Sequence, residues 1–135
     1  MIRIFTIGLL CAALLAPVET AAADGKRLTT ETEFRELVVD RELIADRTTV
    51  LYTGDGQIAG SSRDEKIKGM WRWAGNALCR TVTLGTKSLG LDCQAVFVIG
   101  DLVVLVRDGG LGLAFALRIR RGGSPPGEPG QIALL

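Results

Sequence analysis

The chain has 135 residues, with 16 lysines and arginines against 15 acids and no histidine. That length allows one domain, and the near-neutral balance supplies no field that would gather nucleic acid or an anionic membrane. Without histidine there is no Ser-His or Cys-His nucleophile pair and no imidazole acid or base.

The N-terminus reads as a leader. Arg3 supplies an early charge, residues 4–16 are largely apolar, and Ala21-Ala22-Ala23 ends the run with small residues. That order predicts a signal peptide over residues 1–23, cleaved before Asp24, and therefore a periplasmic or secreted protein. A membrane anchor fits less well, because the run is short for a span and is broken by Pro17 and Glu19. Lipidation of Cys11 is disfavoured by Leu10, where a small residue is preferred. Cleavage leaves Cys79 and Cys93, and two thiols in an oxidising compartment pair. A structural zinc wants four ligands, so neither a metal nor a cofactor is expected.

Residues 24–29 read as a flexible lead. Thr30-Glu31-Thr32-Glu33 has the form of a capping box, in which the Thr30 hydroxyl accepts from the residue 33 amide and the Glu33 carboxylate reaches back. Phe34, Leu37 and Val38 then follow at helical spacing, predicting a short helix that either docks a partner or plugs the end of a sheet.

Beyond Asp40 the apolar period changes to two. Residues 41–44, 48–53, 57–62, 67–73, 77–84, 89–99, 102–107 and 113–120 read as strands. Gly54-Asp55-Gly56 predicts a hairpin turn in which both central residues take positive φ. Ile67, Gly69, Trp71 and Trp73 share one face of their strand, opposite Lys68, Met70 and Arg72. Leu113, Phe115, Leu117 and Ile119 do the same, opposite Ala114, Ala116, Arg118 and Arg120.

A three-residue loop at Gly85-Thr86-Lys87 would set Leu84 against Ser88, Thr83 against Leu89, Thr81 against Leu91 and Cys79 against Cys93. One register thus predicts the disulfide. Closing a loop of that length contributes about 3 kcal/mol by the chain-entropy argument.

Strands joined by hairpins bury one face, and closure removes their exposed edges. The predicted fold is mainly β: a small up-and-down, lipocalin-like barrel of seven to eight antiparallel strands with one short N-terminal helix, spanning residues 30–121. A β-sandwich is the alternative. Residues 122–135, rich in glycine and proline, read as a disordered tail.

Catalytic constellations are sparse. Ser61 or Ser62 with Lys66 is the one nucleophile pair that can be drawn, and it lies in a polar turn where lysine stays protonated. Asp64, Glu65, Asp92, Asp101 and Asp108 fall mostly at turns. Gly54 to Gly60 is one residue too long for a dinucleotide fingerprint, and Gly110 to Phe115 ends in phenylalanine where a small residue is required. The most suggestive group is Trp71 and Trp73 with Tyr52, which either floors a ligand cavity or fills the core and covers the barrel end. Arg107, Arg118 and Arg120 suggest a basic stripe on an outer face, which ordinary strand solvation explains as well.

The motifs at residues 34–39, Asp55-Gly-Gln-Ile-Ala-Gly60, Gly69-Met-Trp-Arg-Trp73, Leu78-Cys-Arg80 and Leu91-Asp-Cys-Gln94 resemble a group of small exported Gram-negative bacterial proteins with no established function. The resemblance spans Phe34 to Arg120. A dihydrodipicolinate reductase label carried by some members finds no counterpart here, since the dinucleotide fingerprint is missing. More loosely, the architecture is similar to lipocalin-like barrels and to the periplasmic inhibitor of secreted metalloproteases. The expectation is a non-catalytic, monomeric, disulfide-stapled barrel binding a small apolar ligand or an envelope protein. An inhibitor of an exported hydrolase is the second reading, and an enzyme the third.

Overall fold

A computed structural model describes residues 25–120. The predicted signal peptide and the predicted tail from 122 lie outside the described residues. Strands β2 (Glu42–Ala45), β3 (Thr48–Tyr52), β4 (Gln57–Ser62), β5 (Glu65–Ala74), β6 (Ala77–Leu84), β7 (Lys87–Ile99), β8 (Leu102–Val106) and β9 (Ala114–Ile119) pair antiparallel in chain order. A β2–β9 seam closes them into an eight-stranded barrel. The fold is thus mainly β, as the alternation predicts, and it is the closed barrel rather than the alternative β-sandwich.

The segment expected to be a flexible lead departs from that expectation. Lys26–Arg27 form strand β1, which adds to β7 opposite Val98 and Phe97, and Leu28 is fully buried. Helix α1 (Glu31–Leu37) follows. Its Thr30 hydroxyl accepts from Glu33 N at 3.2 Å, a cap worth about 1 kcal/mol. The return arm differs from a standard capping box: the Glu33 carboxylate accepts from Thr29 N rather than from the cap residue's own amide, and it also pairs with Lys26 Nζ at 2.5 Å. This carboxylate therefore ties β1 to the helix.

The cysteine hairpin reaches its predicted register by another route. The loop has two residues, with Gly85 at φ 59°, so Leu84 pairs with Lys87 and Thr83 with Ser88, one step from expectation. A bulge opposite Val82, with Gly90 at φ 74°, restores the step. Thr81 then pairs with Leu91 and Cys79 with Cys93, as predicted. At the β3–β4 turn Gly56 takes positive φ whereas Asp55 does not. A Gly56 N bond to Thr53 O and a Thr53 N bond to Gln57 O make a three-residue loop. Residues 107–110 close a single short turn, α2 (Arg107–Gly110), whose Asp108 and Gly109 adopt left-handed angles, so its geometry is that of the expected turn.

Side chains alternate between the barrel interior and solvent. Val50, Tyr52, Ile58, Ile67, Trp71, Leu78, Val82, Val96, Val103 and Leu117 form the core with Leu28, Phe34 and Val38 from the N-terminal segment. Gly69 marks a close approach within the wall. A Cβ there would lie 2.1 Å from Thr81 O on the neighbouring strand, so only glycine fits.

Candidate functional site

Hairpin connectivity sends alternate turns to opposite ends, and α1 covers the end carrying the β3–β4 and β5–β6 turns. Phe34 drops from the helix into the barrel and meets Tyr52 edge-on at 5.7 Å, Trp71 at 5.0 Å and Trp73 at 5.5 Å between ring centroids. The indoles are anchored: Trp71 Nε1 donates to Thr53 O at 2.9 Å and Trp73 Nε1 to Gly75 O at 2.8 Å. Arg35 lies 5.1 Å over the Trp71 ring and donates to Gly54 O at 2.9 Å. This end is plugged, and both indole N–H groups have partners.

Towards the other end the interior is hollow. A cavity of about 600 Å³ is walled by Val50, Ile58, Ile67, Val82, Leu105 and Leu117, with Tyr52 among its lining residues. Asp46, Arg63 and Glu65, at the β2–β3 and β4–β5 turns, stand at its mouth. Beside it, Leu111 and Leu113 are 90% and 73% exposed, and Phe115 reaches from β9 into the cavity lining.

One charged side chain interrupts the apolar wall. Arg80 shares its face of β6 with buried Leu78 and Val82, lines the cavity, and keeps its Nε shielded without a hydrogen-bond partner among the described residues. Its cross-strand partner is Asp92. That carboxylate is engaged elsewhere, accepting from Gln94 Nε2 at 2.9 Å, Arg107 Nε at 3.0 Å and Asp108 N at 3.1 Å. Burial opposes ionisation of Asp92, but these hydrogen bonds and the Arg107 charge outweigh it and hold its carboxyl below the ordinary range. Gln94 is fully buried, and its Oε1 lacks a partner among the described residues. Burial also pushes the Tyr52 phenol upward, while the Arg80 charge pulls the other way, so the two groups sense each other.

The predicted site residues separate. Tyr52 lines the cavity, whereas Trp71 and Trp73 pack around Phe34 at the plugged end and are not among its lining residues. Cys79 and Cys93 are bonded to each other on the outer face shared with Arg72 and Leu91. Ser61 stands opposite Lys66 across β4 and β5, but both are exposed, and Ser62 bonds to Thr48 Oγ1 at 2.7 Å instead. Asp92 and Asp101 do not share a site: Asp101 pairs with Arg118 at 2.9 Å. The arginines of the expected basic stripe are each matched by an acid, Arg107 by Asp92, Arg118 by Asp101 and Arg120 by Glu42.

Arg80 and Gln94 appear in the motifs at the cysteines, but the sequence reading gives neither a role at the site. The signal was in the parity, since Leu78, Arg80, Val82 and Leu84 fall on one face of an alternating strand. No protein-family model, curated protein or solved structure matches the chain.

Proposed function

We propose that the chain is an exported, non-catalytic barrel that holds a small, largely apolar molecule in its interior. The observation that carries this reading is the cavity of about 600 Å³ inside the barrel. Side chains can fill an eight-stranded barrel completely, and small-molecule sites typically enclose about 300–1,000 Å³ between apolar walls. A bonded cysteine pair suits an oxidising compartment, in keeping with export and with a periplasmic or secreted location. Kinship with small exported bacterial proteins belongs to the same proposal, as does a monomeric state. Binding is favoured over catalysis because the sequence has no histidine and the Ser61 and Lys66 side chains stand in solvent.

The test is native mass spectrometry of the protein purified from its own cell envelope, followed by the same sample denatured. Mass present only in the native spectrum supports a retained cargo. A bare native protein that also fails to bind a hydrophobic fluorescent probe saturably would overturn the reading.

A second reading draws on the exposed leucines at the mouth: a protein-interaction module, such as an inhibitor of an exported hydrolase, using Leu111 and Leu113 as its contact. Under that reading Leu111→Asp with Leu113→Asp abolishes recovery of a stoichiometric envelope partner. Retention of that partner by the double variant would count against it.

A further inference from the structure

The interior wall is largely apolar, and Arg80 is the charged side chain set within it away from the mouth, which restricts what the cavity can hold. We propose that its ligand is an amphiphile with a carboxylate head, the head held by Arg80 and the apolar body lying against Val50, Ile58, Ile67 and Leu117. This rests on the ligand-binding reading above and narrows it to a chemical class.

Arginine cannot shed its proton in a protein, so a guanidinium facing an apolar space needs either water or a counter-ion. None of the described residues provides that counter-ion. Asp92, opposite Arg80 in register, gives its oxygens to Gln94, Arg107 and the Asp108 amide. The other lining acids, Asp46 and Glu65, belong to the exposed mouth, and neither forms an ion pair with Arg80. Arg107 takes Asp92, leaving Arg80 without an ion-pair partner among the described residues.

A wholly neutral ligand would strip water from Arg80 and return nothing to its shielded Nε, which is costly. A carboxylate can instead accept two parallel N–H bonds from the guanidinium fork, a geometry lysine does not reproduce. Tyr52 lines the same cavity as Arg80 and carries a phenolic donor. Burial keeps that phenol protonated, so it can donate to an anion. The apolar side chains beyond Arg80 then cover the ligand's hydrocarbon body, as the volume of about 600 Å³ permits.

Isothermal titration calorimetry of the full mature protein with decanoate and with decanol, at neutral pH and below any micelle concentration, tests this. These probes match in chain length and differ in the head. The wild-type protein is expected to bind decanoate roughly tenfold to hundredfold more tightly, the worth of a hydrogen-bonded charge. Arg80→Met should bring the ratio near one, while Arg80→Lys should keep part of it. Equal binding of both probes by the wild-type protein overturns the carboxylate inference and leaves the cavity reading standing. Binding of neither probe overturns both. A variant in which both affinities fall together, with the ratio preserved, would show Arg80 acting only on the fold and would also overturn the inference.

Discussion

The two ends of the barrel use the same strands in opposite ways. At the plugged end α1 inserts Phe34 among Tyr52, Trp71 and Trp73, and both indole N–H groups reach backbone carbonyls. At the open end the interior is left unfilled and leucines stand in solvent, while midway along the wall, in register with Trp71, the buried Arg80 Nε has no partner among the described residues. Aromatic packing is therefore concentrated in one half of the sheet, and the proposed binding would use the other. A closed barrel can tolerate a hollow half when the other half supplies apolar burial and polar satisfaction.

The largest break in this comparison is Phe34→Ala. Removing a fully buried aromatic that touches three others should lower stability by about 3–5 kcal/mol, read from urea unfolding. A loss under about 1 kcal/mol would show that α1 does not plug the barrel. Next comes Cys79→Ser with Cys93→Ser, which opens a loop of sequence separation 14. It should cost about 3 kcal/mol while the circular dichroism of the sheet persists, and an unchanged midpoint would refute the staple.

One substitution placed at two sites sharpens the contrast. Val96→Phe overpacks a fully buried position outside the cavity lining and should cost about 1–3 kcal/mol. Val82→Phe projects into the hollow and should cost less than Val96→Phe while removing probe binding. Equal costs would mean that the hollow is not available space.

The smallest expected effect is electrostatic. Lys26, followed by the Thr29 amide, holds the Glu33 carboxyl at about 2 against an ordinary 4.5. A group depressed on folding lends stability above its unfolded value, and that contribution disappears as pH falls from about 4.5 towards 2. Glu33→Gln should flatten this part of the stability curve, measured by thermal melts across the acid range. An unaltered slope would mean that the Lys26 pair does not persist in solution.

The fold was legible because its signals are local. Period-two alternation, glycine turns and the parity that sets Cys79 against Cys93 need no knowledge of distant contacts. The hairpin shows the limit of such reading: a two-residue loop and a bulge at Gly90 shift the pairing in opposite senses, so the cysteine register came out right with two details wrong. The site was less legible. Whether Trp71 lines a cavity or packs on Phe34 depends on where a helix from another part of the chain comes to rest. Arg80 was visible as a charge on an apolar face, but its unpaired state depends on Arg107 taking Asp92, a pairing between residues fifteen positions apart.

The seam between β2 and β9 has a kinetic consequence. Apart from β1 on β7, every other strand pairing joins neighbours in the chain, whereas this one joins the two ends of the meander through Leu43 with Ile119 and Ile44 with Arg118. Local hairpins form before loops that must bring distant segments together, so the sheet can assemble as an open ribbon and close last. The Arg120–Glu42 ion pair at 2.7 Å and the Arg120 amide bond to Glu42 O extend this short joint by one residue. A last-formed, short joint is also the natural place for the native wall to part. Amides along β9 should therefore exchange with solvent sooner than those of the long β6–β7 ladder, giving the closed barrel a hinge at its seam, away from its disulfide.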